Sequence, residues 1–533
     1  MKSPSLVQES GTIRTPGRLN RWDLLWIAAV LVLMAVYGYV RGRHRIFWGD
    51  EVVAFLVFKQ KSFAAMMRAW NAGVDSGSLF YVVFGRLWLQ LFSFSEASLR
   101  SFSATWLAVS FVVLWITARR FYSTAIVGAC LPIIYFLNET LRWQLYNGRM
   151  YGGFMAATAL MVYAFVRAAP GRTLTRRILA LTFFAHLFLV SSHILGILYS
   201  GVFVAGLLLQ DLWARQFRAR LYLCAMASWS ILVFAFSNVR NNTVGLAKYG
   251  YFTLTPHFFD LIKGTVVYSK WTIYLLAALF VAAVLTSLVS RQRSADTSAR
   301  RPVYFVLLSF AGILLTSFVV SHVATSIFYD RYLLPICLGD ALLMCELLDR
   351  IVAGLPRSEG LSRVAVAVSI ALFLGLYAHV LPTPYPLPEL DFTGGLVKKT
   401  SPGVPLVVTD TALFWQMMLY QSKHAILATP LDWKLDLDPD AGHNKALGTE
   451  FMQRFKDHDL FADQILSSQQ ILERYPQFVV VNAPGYDLWF RHYVRGNPKY
   501  EVVDEGTYHG DNVWLVRTRA TSAGIGGSVA STR

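Results

Sequence analysis

The sequence predicts an α-helical polytopic membrane protein of about eleven transmembrane helices, followed by a small soluble α/β domain. Three observations predict it. The 533 residues are 55% hydrophobic and only 15% charged, against ~45–50% and ~25% in ordinary soluble domains. Mean hydropathy is +0.44. Apolar runs of ~15–20 residues recur along most of the chain and give way, after a proline cluster at 382–388, to short alternating strand and helix signals.

A helix in lipid must satisfy its own backbone, which takes ~17–25 apolar residues to cross. Candidate spans are 24–40, 101–118, 123–138, 150–166, 177–191, 193–210, 221–238, 272–290, 303–320, 332–349 and 364–381. The run 177–210 is too long for one span and is expected to break at Ser191-Ser192-His193. The first span ends in Tyr37-Gly38-Tyr39-Val40-Arg41 rather than in the small residues of a signal-cleavage site, so it is expected to remain as an anchor. Leu79 to Phe92 is apolar but short and contains Arg86 and Gln90. Tyr81, Arg86 and Gln90 share one face opposite Phe80, Phe84, Leu87 and Leu91, which predicts a helix lying in the interface.

The formal net charge of +17 would suit nucleic acid, but the cations fall in short clusters between apolar runs, and topology explains them better. With the N-terminus in the cytoplasm, the inner loops carry Arg119-Arg120, Arg167 with Arg172, Arg176 and Arg177, and Arg215 with Arg218 and Arg220. They continue with Arg291, Arg293, Arg300 and Arg301, then Arg350, Arg357 and Arg363. Counting 79–92 as a span would reverse every later loop. The opposite side receives 41–100, 139–149, the turn at His193, 239–271, 321–331 and all that follows 382. Cys130, Cys224, Cys337 and Cys345 lie in apolar segments without C-x-x-C spacing and read as small buried hydrophobes.

In the C-terminal part, 404–409, 425–428 and 478–482 read as strands and 412–421, 451–456 and 463–475 as helices. Residues 500–508 and 513–517 form a hairpin across Gly510-Asp511-Asn512. The Gly-, Ser-, Ala- and Thr-rich tail 520–533 is expected to be disordered.

This topology gathers polar groups on the outer side: Asp50 and Glu51, then Asn147-Gly148-Arg149-Met150-Tyr151, His193, Lys270, and Tyr329-Asp330-Arg331-Tyr332. A carboxylate ringed by Arg, Lys and Tyr can take a proton from an attacking hydroxyl while the cations hold an anionic leaving group. Arg suits a lipid phosphate through bidentate pairing. Each residue also has a structural reading. Asp50 could be a helix N-cap, Glu51 a first-turn acid, and Arg149 and Arg331 helix-end anchors. His193 could be a packing residue and His186 a hydrogen-bonded core histidine. Asp340, inside a span, is expected to be a paired structural acid.

Six blocks carry a family resemblance: Trp48-Gly49-Asp50-Glu51, Leu79-Phe80-Tyr81 with Arg86-Leu87-Trp88, and Ser95-Glu96-Ala97-Ser98-Leu99-Arg100, then Ala118-Arg119-Arg120-Phe121, Gly148-Arg149-Met150-Tyr151, and Arg331-Tyr332-Leu333-Leu334-Pro335. In this order and spacing, over residues 20–350, the chain resembles the GT-C membrane glycosyltransferases. Within them it is similar to the bacterial group related to protein O-mannosyltransferases and to the aminoarabinose and galacturonosyl transferases of lipid A. The resemblance implies a GT-C domain over 21–381 with a periplasmic loop 41–100, a cytoplasmic tail 1–20 and a periplasmic α/β domain 382–519, in the inner membrane. It implies inverting transfer from a polyprenyl-phosphate sugar to a hydroxyl of an envelope lipid, glycan or protein. In that reading Asp50 is the general base, assisted by Glu51. Arg149, Arg331 and Tyr332 bind the donor phosphate, and Asn147, Tyr151, His193 and Lys270 are candidates for substrate contact. No cofactor is called for, although some relatives of this fold class depend on a divalent metal.

Two departures stand out. Asn147-Gly148-Arg149 replaces the usual Glu-Ala-Arg, with Glu139 as a substitute carboxylate, and Ser76-Gly77-Ser78-Leu79 replaces Pro-Pro-Leu. The rival readings are a transporter or flippase, which would place ionisable groups at the midplane, and a non-catalytic envelope scaffold.

Overall fold

A computed structural model describes residues 19–43, 45–249, 255–289, 297–324, 326–354, 371, 374–375, 377–379, 390–438, 445–508 and 510–519. The proline linker 382–388, the tail 520–533, residues 1–18 and most of the expected span 364–381 lie outside the described residues. The chain divides into two units. The first comprises Met1–Val40, Arg100–Leu232 and Thr255–Thr383; the second comprises Arg41–Leu99, Val233–Leu254 and Pro384–Arg533.

The first unit is helical. Its elements are α1 (Arg21–Gly42), α5 (Glu96–Ala118), α6 (Thr124–Leu137), α7 (Glu139–Trp143), α8 (Tyr151–Arg167), α9 (Arg176–Ser192), α10 (Gly196–Trp213) and α11 (Ala219–Ala227). Then follow α13 (Phe258–Gly264), α14 (Lys270–Val289), α15 (Thr297–Val323), α16 (Asp330–Leu333) and α17 (Ile336–Gly354). The break at 191–193 is found: α9 stops at Ser192 and α10 starts at Gly196. The expected span 221–238 is not one regular helix. It passes from α11 through a 3₁₀ turn, Ser228–Ile231, into α12 (Leu232–Tyr249).

Among the described residues six segments are long and apolar enough to cross a membrane: Arg21–Gly42, Glu96–Ala118, Gly196–Trp213, Ala219–Val244, Lys270–Leu288 and Arg300–Val323. The expected count of about eleven is not reproduced by that measure. α6, α8 and α9 are helices of 14, 17 and 17 residues, and α6 at 1.5 Å per residue falls well short of a ~30 Å hydrocarbon core. α17 carries Asp340, Glu346, Asp349 and Arg350.

Helices α8 and α9, α10 and α15, α14 and α17, and α6 and α17 pack in pairs, and the unit buries Phe111, Trp115, Tyr122, Tyr135, Phe136, Phe154 and Tyr199. One close approach is at Gly152, where a Cβ would stand 2.1 Å from the Ser103 carbonyl oxygen. A polar network braces α17. Glu346 accepts from Tyr122 at 3.1 Å, Arg300 at 3.2 Å, Tyr304 at 2.9 Å and Arg350 at 2.7 Å, and Arg300 also pairs with Asp349.

The second unit joins short helices to a sheet. The helices are α2 (Gly49–Phe58), α3 (Phe63–Asn71), α4 (Leu79–Phe92) and α12. Ser62 and Ser78 cap α3 and α4 by accepting the N–H groups of Ala65 and Tyr81. Arg86, buried in α4, donates to the carbonyls of Phe58 (2.8 Å) and Gln60 (2.9 Å) and so closes the C-terminal end of α2. The outward face of α4 is apolar, with Phe84, Leu87, Leu91 and Phe92 exposed.

The strands β1 (Leu406–Val408), β2 (Leu427–Pro430), β3 (Ile465–Leu466), β4 (Gln477–Asn482), β5 (Tyr500–Tyr508) and β6 (Asp511–Thr518) form one sheet in the order β3-β2-β1-β4-β6-β5. β3, β2, β1 and β4 run parallel, in register Val407 to Val480, and β6 and β5 are antiparallel. The parallel pair β1 and β4 reads Leu-Val-Val and Phe-Val-Val-Val because both of its faces are covered. β5 is an edge strand with an irregularity between Asp504 and Thr507. The helices Leu390–Lys399, Thr411–Gln421, Lys445–Asp457, Ser468–Arg474 and Leu488–Tyr493 also belong to this unit.

Candidate active site

His193 ends α9 with extended backbone, φ −158° and ψ 149°. Its Nδ1 accepts the Leu195 N–H at 3.1 Å, which leaves the proton of the neutral ring on Nε2. The ring stacks on Phe154 with centroids 4.5 Å apart and planes at 16°, and lies 5.4 Å from Tyr332 and 5.7 Å from Tyr151. It is 1% exposed. Burial above all, and then the Arg149 and Arg331 guanidiniums, depress its pKa to about 3. The imidazole is therefore neutral at ordinary pH. Its Nε2–H has no hydrogen-bond partner among the described residues.

Arg149 reaches this place from the loop between α7 and α8. Ser103 donates its hydroxyl to the Arg149 carbonyl at 2.8 Å, and the missing Cβ of Gly152 lets α8 press onto α5 just beyond it. Arg149 is 2% exposed. Arg331 sits in α16, whose turn is set by Asp330: one carboxylate oxygen accepts the Arg331 N–H at 2.7 Å and the other the Thr140 hydroxyl at 3.0 Å. The Arg331 guanidinium lies 4.9 Å over the Tyr329 ring. Tyr332 is held through its carbonyl, which accepts the Tyr199 hydroxyl at 2.8 Å. Two guanidiniums and an N–H donor around aromatic rings can hold an anionic, phosphate-like group.

Asp50 and Glu51 belong to the second unit. Trp48, not Asp50, is the N-cap of α2; Asp50 is its second residue and is half-buried. Glu51 is fully buried, and its carboxylate accepts the Trp48 N–H at 3.2 Å, the contact of a capping-box acid.

The remaining candidates divide. Tyr151 is buried against His193. Asn147 is buried and donates to Gln144 at 3.3 Å. Lys270 is exposed at the start of α14, its ammonium 5.7 Å over the Trp271 ring, and no described contact ties it to His193. Glu139 does not supply a second buried acid: its side chain is 77% exposed and pairs with Arg142 at 3.9 Å. His186 is the expected core histidine, with its Nδ1 2.6 Å from the Ser200 hydroxyl. Asp340 departs from its expected pairing, because its Oδ2 is buried without a hydrogen-bond partner among the described residues. Sequence reasoning passed over Phe154, Ser103 and Tyr199, which carry no charge and stand inside apolar runs. Among the described residues no three His, Cys, Asp or Glu side chains group as a metal site.

No protein-family model matches the sequence, and no curated protein does. Solved structures do. The crystal structure of ArnT from Cupriavidus metallidurans bound to undecaprenyl phosphate aligns with TM-score 0.57 and 14% identity, over 93% of this chain and 98% of that one. The apo structure of the same protein aligns with TM-score 0.57 and 14% identity, over 93% and 97%. The chain therefore shares its fold with this ArnT.

Proposed function

We propose that the protein is a membrane glycosyltransferase that moves a monosaccharide from a polyprenyl-phosphate donor to a hydroxyl acceptor. The observation that carries this reading is the neutral, buried His193 beside Arg149 and Arg331, in a fold shared with a protein whose structure holds undecaprenyl phosphate. An acceptor oxygen attacks the anomeric carbon and its proton passes to the Asp50 carboxylate. The bond from that carbon to the phosphate oxygen breaks, and the lipid phosphate leaves with the negative charge. Attack opposite the leaving group inverts the centre. Arg149 and Arg331 take the phosphate charge, and Tyr332 and the His193 Nε2–H add donors. General-base action is worth ~10²–10⁴-fold. Glu51 shapes the turn rather than reacting. The basic loops from Arg119 to Arg350 support a cytoplasmic N-terminus and a periplasmic site in a bacterial inner membrane.

The test is transfer by the full chain in vesicles supplied with a panel of undecaprenyl-phosphate monosaccharides, read as undecaprenyl phosphate released. Wild type should consume at least one donor, and Asp50→Asn should lose ~10²-fold or more. Undiminished transfer by Asp50→Asn overturns the base assignment. Movement of a donor across the vesicle without its cleavage overturns the enzyme reading in favour of a flippase.

A further inference from the structure

Within the second unit, the turn that leads to Asp50 is gripped by a helix far along the chain. Phe47 is fully buried. Its N–H donates to the Tyr420 hydroxyl at 2.8 Å and its carbonyl accepts from the Gln416 side-chain amide at 2.9 Å, contacts that span 373 and 369 residues. The Tyr420 hydroxyl in turn donates to the Glu96 carboxylate. Ala412, Gln416 and Tyr420 recur at intervals of four along Thr411–Gln421 and so form one stripe. The same stripe meets Gly49: a Cβ there would stand 3.3 Å from the Ala412 methyl and 3.6 Å from the Trp415 ring. Helix α2 begins at once, with the Trp48 carbonyl accepting the N–H groups of Glu51 and Val52 at 2.9 and 3.1 Å.

We infer that Gln416 and Tyr420 are positioning residues for Asp50, and that the sheet-bearing C-terminal segment is a working part of the transfer machinery through them. The inference rests on the reading of Asp50 as the base. A buried peptide N–H and C=O must be bonded, and a partner of either kind would serve stability alone. Here both groups of one residue, three positions before Asp50, are bonded to adjacent turns of a single helix, and the residue just before Asp50 packs on the same stripe. That fixes the direction in which the chain enters α2 and hence where the second residue of α2 points. Backbone freedom at this place becomes misplacement of the carboxylate, and ~1 Å of misplacement can cost ~10²-fold in rate.

The variants are Tyr420→Phe and Gln416→Met, each in the full-length chain. Tyr493→Phe is the comparison, since it removes a half-buried hydroxyl that donates to Asp432 at 2.6 Å in the same unit. With the undecaprenyl-phosphate monosaccharide that wild type consumes, the two clamp variants should lose roughly 10- to 10²-fold in kcat with KM within about twofold. Deuterium exchange should rise in peptides covering 45–52. Tyr493→Phe should lower the thermal midpoint and leave kcat and that exchange unchanged. Unchanged exchange at 45–52 in both clamp variants overturns the clamp, whatever the base is. Raised exchange with unchanged kcat overturns the positioning role while Asp50→Asn remains inactive. Full transfer by Asp50→Asn defeats the base reading and the positioning role together, and the exchange data then still report on the clamp alone.

Discussion

Two polar clusters of the first unit, one around Glu346 and one around His193, differ in kind. Around Glu346 the carboxylates and guanidiniums answer one another: Arg300 bonds Glu346 and Asp349, Arg350 bonds Glu346, and Tyr122 and Tyr304 donate to the same acid. Around His193 burial, and then two guanidiniums, lower the proton affinity of an imidazole, and that ring offers an N–H to which no described residue responds. Both clusters are reached from α17 or the turn just before it. The first is a closed network whose members need one another. The second is open at one point, the ring N–H beside two guanidiniums, an arrangement that suits a hydrogen-bond acceptor.

The largest expected effect breaks the closed cluster. Glu346→Ala leaves Arg300 and Arg350 without their shared acid, and losing one partner of a buried pair costs roughly 3–5 kcal/mol. The thermal midpoint in detergent should fall by several degrees, while the protein that remains folded keeps its donor KM. A fall in donor affinity at unchanged midpoint would erase the distinction between the clusters.

The next effect sharpens the open cluster. Arg149→Lys and Arg331→Lys keep the charge but lose the planar fork, and at Arg331 the stack on Tyr329 as well. Transfer efficiency should fall roughly 10- to 10²-fold with the midpoint nearly unchanged, because two donor hydrogen bonds to phosphate become one. Wild-type efficiency in both variants would reduce the cluster to a simple field of charge.

The smallest effect is a slope. Because His193 has a folded-state pKa of about 3 against 6.5 for the free side chain, the unfolded chain binds more protons between those values. Stability then rises with pH from about 3 to 6.5 and levels off above. His193→Phe should flatten that rise in the thermal midpoint, keep the stack on Phe154, and cut transfer efficiency by roughly tenfold through loss of a hydrogen bond to a charged group. A pH slope identical to wild type would deny the ring its neutral, buried state.

Much of this was legible in local pattern. The break beside His193, the strands at 406–408 and 477–482 and the terminal hairpin follow from polarity and β-branched content, and the structure has them. The membrane count was less legible because apolar runs mark burial as well as lipid contact; α8 is apolar and almost wholly buried within its unit. Arg149 and Arg331 could be chosen by residue type, but the depressed His193 needed its burial first and their convergence second, neither of which spacing encodes. Glu51 reads as half of a catalytic pair, and its carboxylate also accepts the Trp48 N–H, since a first-turn acid serves either purpose. Gln416 and Tyr420 were invisible as partners of Phe47, because contacts across some 370 residues leave no trace in a single sequence.

The outermost strand of the sheet has one more consequence. β5 presents Glu501, Asp504 and Glu505 to solvent and is irregular between Asp504 and Thr507. Negative charge and a kink there discourage a second chain from lengthening the ladder. Proteins confined to two dimensions meet often and in similar orientations, so such an edge keeps copies from stitching together into aggregates.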